Sequence, residues 1–233
     1  MSIISVGNQK GGTGKTSTVF AMGEILAGAY GKSVIMVDLD PQASLSLLSG
    51  VKVDKTITDV FEGYDIRDAV VELRENLFIL PSDIRLADVE IKSPRTLSKL
   101  LEPATVDYIL VDLPPSLNEL TANGLVASDW VVIPARPTLL DVAGLGLFLD
   151  IVKQAQALNK ALKVAGVLLT FVDTRSISMG KVIKTISLPI LGSVGVSVKV
   201  AEAVGKSIVR YSPSNPRSRE YIDFVANLLE AIK

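Results

Sequence analysis

Eleven residues near the start of the chain, Gly7-Asn8-Gln9-Lys10-Gly11-Gly12-Thr13-Gly14-Lys15-Thr16-Ser17, constrain its fold more than any others. They follow the apolar run Ile3-Ile4-Ser5-Val6 and lead into Thr16-Ser17-Thr18-Val19-Phe20-Ala21-Met22. The first run reads as a buried strand and the second as the opening of a helix, whose free N–H groups and dipole favour an anion at the turn between them. Gly11, Gly12 and Gly14 lack a Cβ, so the backbone there can take unusual angles and approach phosphate oxygens closely. Lys15 then supplies a point charge to the β- and γ-phosphates, and the Thr16 hydroxyl faces a magnesium ion.

The strict phosphate-loop pattern asks for glycine where this chain has Gln9, and a second lysine, Lys10, precedes the glycine pair. A dinucleotide fingerprint fits less well, because Ser17 stands where its third glycine belongs. A glycine-rich turn without a ligand leaves the strand before, the helix after and the Lys15-Thr16 pair unaccounted for.

Further strand-like and helix-like segments alternate down the chain. Ser33-Val34-Ile35-Met36-Val37 reads as a strand that ends in Asp38-Leu39-Asp40-Pro41-Gln42, with Pro41 closing it. Residues 56–61 and 66–73 read as short helices, Leu77-Phe78-Ile79-Leu80 as a strand, and residues 85–91 and 95–101 as helices. Val106 through Leu113 is an apolar run that carries Asp112 at its end, the arrangement in which a carboxylate orients magnesium; Pro114-Pro115 stiffens the turn that follows. Trp130-Val131-Val132-Ile133-Pro134 and Val164-Ala165-Gly166-Val167-Leu168-Leu169 read as strands, with a helix over 139–158 between them. There Gly144 and Gly146 mark either close packing or a frayed first turn. The alternation predicts an α/β fold, a doubly wound and mostly parallel sheet flanked by helices, forming one domain over 1–233. Its ligands are expected at the C-terminal edge of the strands.

The chain has 233 residues and 48% hydrophobic content, enough for a sizeable core. It contains no cysteine and no histidine, which excludes disulfides, thiolate metal sites and histidine acid–base chemistry. Its net charge is −1, unevenly spread: residues 1–174 carry 15 Lys/Arg against 21 Asp/Glu, and residues 175–233 carry 9 against 4. The basic tail makes an anionic partner worth testing. With no signal peptide or long apolar run, a cytoplasmic protein is expected. The last segment places Tyr221, Phe224, Val225, Leu228 and Leu229 on one helical face; a core-packed helix is expected there, since a membrane-surface helix usually presents a basic polar face.

The string Lys10-Gly11-Gly12-Thr13-Gly14-Lys15-Thr16 resembles the deviant Walker A motif of the ParA/MinD group of ATPases. Asp38-Leu39-Asp40-Pro41-Gln42, Asp112-Leu113-Pro114-Pro115-Ser116 and a tail with Tyr211-Ser212-Pro213 extend the resemblance over most of the chain. The Asp-Pro-Gln string looks more like ParA than MinD, and the lack of cysteine sets aside the iron–sulfur branch.

The resemblance implies a weak ATPase that uses ATP and Mg2+. ATP-binding residues would be Lys10, Gly11, Gly12, Thr13, Gly14, Lys15, Thr16 and Ser17, with Thr170 and Pro213 near the base. Lys10 and Lys15 would act on the phosphates, Asp40 would orient the attacking water, and Thr16, Asp38 and Asp112 would attend the metal. ATP would be held between the subunits of a homodimer, each Lys10 reaching the partner's nucleotide. The dimer would bind non-specific DNA, and Lys181, Lys184, Lys199, Lys206, Arg210, Arg217 and Arg219 are the candidate phosphate contacts. The first strand begins at residue 2, so an N-terminal helix-turn-helix domain is not expected, and a separate centromere-binding or cargo adaptor protein would supply specificity. Nucleoid association would follow, without stable membrane binding. A MinD-like membrane-cycling regulator and a metabolic P-loop synthetase or kinase stay open as alternatives.

Overall fold

The computed structural model describes residues 1–173, 179–197, 199 and 205–233. Its strands are β1 (Ser2–Val6), β2 (Val34–Asp38), β3 (Val71–Arg74), β4 (Leu77–Leu80), β5 (Tyr108–Asp112), β6 (Trp130–Ala135), β7 (Lys163–Val172) and β8 (Ile190–Gly195). Among the described residues they form one eight-stranded sheet in the order β3-β4-β2-β5-β1-β6-β7-β8. Every pairing is parallel except the one between β3 and β4. The helices are α1 (Lys15–Tyr30), α2 (Ser44–Ser49), α3 (Ile57–Phe61), α4 (Ile66–Ala69), α5 (Thr96–Leu101), α6 (Glu119–Ala127), α7 (Leu139–Leu158), α8 (Met179–Ile183), α9 (Ile208–Tyr211) and α10 (Pro216–Ala231).

The central strands are apolar at successive positions because both faces of the sheet are covered. In β2, Ile35 and Val37 join the core beneath α3 to α7, whereas Val34 and Met36 join the core beneath α1, α2, α9 and α10. This is the doubly wound arrangement expected from the alternation. Pro134 sits in β6 without breaking it, since β1 pairs with that strand only as far as Val132. In α10, Tyr221, Phe224, Val225 and Leu228 are all buried, so this face is part of the core, as expected for a segment without a basic polar face.

The structure corrects two helix expectations. Residues 66–73 do not form one helix: α4 ends at Ala69 and β3 follows, pairing with β4 through a tight turn in which Asn76 has φ 62°. Residues 85–91 form only a 3-10 turn, Ile84–Asp88, capped by the Asp83 side chain on the Arg85 N–H. Five further elements, α2, α6, α8, β8 and α9, were not foreseen.

Candidate functional site

Register brings the two strand-end aspartates together. β5 lies between β2 and β1, with Asp112 opposite Asp38 on one side and Val6 on the other. One residue beyond Val6 the glycine-rich loop begins, anchored by Gly7 N–H to Val132 O at 3.1 Å and by the Asn8 amide to Pro134 O at 2.7 Å. The loop, Asp38, Asp40 and Asp112 thus share one edge of the sheet, as the C-terminal-edge rule predicted.

The loop is shaped for an anion. Gly12 has φ 67° and Gly14 φ 85°, left-handed values that side chains resist, and they turn the chain into a nest of N–H groups. α1 starts at Lys15 with no side-chain cap and no acidic residue in its first turn, which leaves its first N–H groups without a capping side chain among the described residues. Lys15 is buried, and its Nζ donates to the Lys10 carbonyl at 3.3 Å. Desolvation lowers the Lys15 pKa, with the Asp112 and Asp40 charges opposing the fall.

The two strand-end carboxylates differ. Asp38 is fully committed: one oxygen accepts from Ser46 N–H at 2.8 Å and Ser46 Oγ at 2.7 Å, and the other accepts from Asp40 N–H at 3.2 Å. Burial pushes it up to about 6 despite these bonds. Asp112 is buried, and among the described residues neither of its oxygens has a hydrogen-bond partner. Burial raises its pKa well above the ordinary range and the neighbouring Asp38 charge adds to this, while Thr16 and Lys15 pull it down. Two orphaned carboxylate oxygens beside the Thr16 hydroxyl suit a hydrated divalent cation carried in with phosphate. Asp38 instead organises the loop that carries Asp40. Asp40 is half-buried and accepts from Gln42 N–H at 2.9 Å.

Lys10 and Thr170 stand beside the loop in ways that spacing did not reveal. The Lys10 side chain is 40% exposed, and its ammonium is ion-paired at 3.3 Å with Asp141 in the first turn of α7. Asp141 is itself fixed by Thr138, whose hydroxyl accepts from its N–H at 3.1 Å and donates to its carboxylate. Thr170 is buried, and its hydroxyl donates to the Thr13 carbonyl at 2.9 Å, pinning the loop. A narrow cleft next to it is lined by Gly14, Ser17, Thr170, Phe171, Gly195 and Tyr221. Pro213 does not reach this cleft. It lies over the far half of α1 with Ile25, Gly28 and Ala29, because α9 carries residues 208–211 across that end of the helix.

The basic tail residues are mixed in setting. Lys184, Lys199, Lys206 and Arg210 are exposed, and the Lys181 side chain lies outside what the structure describes. Arg217 is paired with Glu220 at 3.2 Å, and Arg219 with Asp223 at 3.0 Å. Sequence reasoning missed Asp141 and Arg136. The Thr-x-x-Asp spacing at Thr138 marks a helix start but says nothing of Lys10.

The chain resembles known proteins throughout its length. A family model described as "AAA domain" matches residues 1–164. The sporulation initiation inhibitor protein Soj of Bacillus subtilis is 36% identical over 242 residues, covering 95% of each chain. The chromosome partitioning protein ParA of Caulobacter vibrioides is 30% identical, covering 98% of this chain and 94% of its own. Among solved structures, cobyrinic acid a,c-diamide synthase from Mycobacterium smegmatis with bound ATP analogue and magnesium superposes with a TM-score of 0.85 at 29% identity, covering 100% of this chain and 96% of that one. Apo McdA from Cyanothece, at 24% identity over 98% of this chain and 99% of its own, gives a TM-score of 0.88 and shows the shared fold. With its phosphate loop, paired strand-end aspartates and these relatives, the chain belongs to the ParA/Soj family of P-loop ATPases.

Proposed function

We propose that this ATPase positions DNA or another large cargo by cycling between a nucleotide-dependent dimer and a monomer. Relatives named for chromosome partitioning support the cargo class. The observation that carries the reading is the contrast between the two loop lysines. Lys15 is buried in its own loop, whereas Lys10 lies at the rim, 40% exposed and held by α7. A lysine that does not serve its own loop is placed to serve another, and a second cation at the γ-phosphate then adds charge stabilisation only once two chains meet.

In the cycle, Gly12 to Ser17 bind the triphosphate and Lys15 exchanges the Lys10 carbonyl for phosphate oxygen. Thr16 and Asp112 are the residues that would hold Mg2+, which would supply charge neutralisation at the phosphates. Asp40, carried on the loop that Asp38 ties down, orients the attacking water. Such phosphoryl transfer needs positioning and charge more than a strong base, so a chain without histidine can perform it. The exposed Lys184, Lys199, Lys206 and Arg210 are available to DNA phosphates, and a separate adaptor protein selects the cargo and stimulates turnover.

The test is binding to a non-specific duplex with ATP, ADP or no nucleotide, at two salt concentrations, for the native chain, Lys10→Ala and Asp40→Ala. Binding that needs ATP, weakens with salt, fails in Lys10→Ala and persists in Asp40→Ala is the expected result. DNA binding absent in every nucleotide state sinks the proposal. A synthetase acting on a small carboxylate is the second reading, favoured by the similarity to the diamide synthase. It predicts substrate-dependent turnover without dimerisation on ATP.

A further inference from the structure

We propose that Arg136 is a positioning residue for the phosphate loop, holding one peptide so that its N–H faces the phosphates. The inference rests on the ATPase reading above. Arg136 follows Ala135, the last residue of β6, so its backbone is anchored in the sheet. Its Nη2 donates to the Gly12 carbonyl at 2.5 Å. Its guanidinium carbon lies 4.5 Å from the centroid of the Phe171 ring, a stacked cation–π contact. Among the described residues Arg136 makes no ion pair, so its charge stays uncompensated beside the loop.

A trans peptide is planar, so its C=O and N–H point in opposite directions. Pulling the Gly12 carbonyl outward therefore turns the Thr13 N–H inward. Thr170 does the same one peptide later: by holding the Thr13 carbonyl at 2.9 Å it turns the Gly14 N–H inward. A third carbonyl, that of Lys10, is held by the Lys15 ammonium at 3.3 Å, but this bond is lost once Lys15 moves to phosphate. The Arg136 and Thr170 contacts do not depend on Lys15, and so persist through the cycle.

Two features indicate that the contact is specified by the fold. Gly12 takes φ 67°, and a Cβ there would lie 3.2 Å from Arg136 Nη2, so the carbonyl and the guanidinium meet at a site only glycine suits. Phe171 also has positive φ, 53°, a strained value for a bulky residue, and this conformation sets its ring under the guanidinium.

The experiment is steady-state ATPase kinetics with Mg2+ for the native chain, Arg136→Met and Arg136→Lys, with thermal melts of each without nucleotide. Methionine keeps length but loses donor and charge; lysine keeps both. The expected result is a KM raised about tenfold in Arg136→Met with kcat within about twofold, and a KM within about threefold of native in Arg136→Lys, all three melting alike. An unchanged KM in Arg136→Met overturns the proposal, as does a fall in kcat alone. Equal impairment of both variants with lowered melting also overturns it, making Arg136 a packing residue over Phe171. If Arg136→Met does not fold, Phe171→Leu replaces it: a KM raised a few-fold supports the assignment and a native KM overturns it. If the native chain turns over no ATP, the ATPase reading fails by itself. Calorimetric binding of inorganic pyrophosphate to the same proteins then reads the loop directly, with weaker binding in Arg136→Met supporting the proposal and equal affinities overturning it.

Discussion

Lys10 and Lys15 are five positions apart on one loop and live in different physical surroundings. Lys15 is buried and pays for desolvation with a lowered pKa; Lys10 stays at the rim, paired with Asp141. A half-exposed ion pair contributes little to stability, so its effect belongs to where it keeps Lys10. Asp141→Asn retains an acceptor for the ammonium and removes the charge. We expect it to strengthen ATP-dependent dimerisation by a few-fold, corresponding to up to about 1 kcal/mol of released pairing, as measured by sedimentation over a concentration series. Weaker dimerisation would mean that Asp141 supports Lys10 in the position it takes in the dimer.

The element least legible in the sequence was β3. Residues 66–73 carry helix formers and strand formers together, and local propensity does not choose between them. The choice is made by tertiary contacts: the open edge of β4 offers backbone partners, and Arg74 fastens the new strand to α1. Its guanidinium binds the buried Glu24 carboxylate at 2.6 Å and the Glu24 carbonyl at 2.8 Å. Arg74→Ala leaves Glu24 buried without its partner and is expected to cost about 3 kcal/mol in urea unfolding. The double change Glu24→Leu with Arg74→Leu should recover most of that loss. A single variant as stable as the native chain would show that β3 is held by strand pairing alone. The other unforeseen elements have similar causes: α2, α6, α8 and α9 are short, and among the described residues β8 pairs only with β7 at the far edge of the sheet.

Across the whole molecule, parallel register sets two carboxylates side by side at the end of β2 and β5, and this makes the pair electrostatically costly. Asp38 is raised to about 6, and Asp112 is raised further by burial and by Asp38. A carboxyl with a raised folded pKa contributes stability that is fully present below its unfolded value, near 4, and is lost as pH rises through its folded value. Asp59 runs the opposite way: the Arg85 guanidinium holds it near 2, so its contribution is present above about 4 and lost as pH falls through 2. The nucleotide-free protein should therefore lose urea resistance as pH rises from about 4 through about 6, where Asp38 titrates, and Asp112→Asn should flatten that decline. At pH 7.5 this variant should be more stable than the native chain by about 1–2 kcal/mol without nucleotide, yet gain little from ADP with Mg2+. A decline of equal slope in both proteins would remove Asp112 as its cause.

The amino-acid order alone determined the α/β class, the central strands, the long helices and the phosphate loop, because each rests on a short-range pattern: apolar runs, helical periodicity, and glycines next to lysine and threonine. It also identified Asp38, Asp40 and Asp112 as candidates, since strand-end carboxylates behind such a loop sit at the ligand edge of a parallel sheet. Sequence could not say which carboxylate is tied up and which is open; that depends on Ser46 bonding Asp38 and on the Asp112 oxygens meeting no hydrogen-bond geometry among the described residues. Nor could it place Pro213, which α9 carries away from the cleft, or pair Lys10 with Asp141 and Gly12 with Arg136. Those contacts join residues more than a hundred positions apart, and only the packing of β6 and α7 beside β1 brings them within bonding distance.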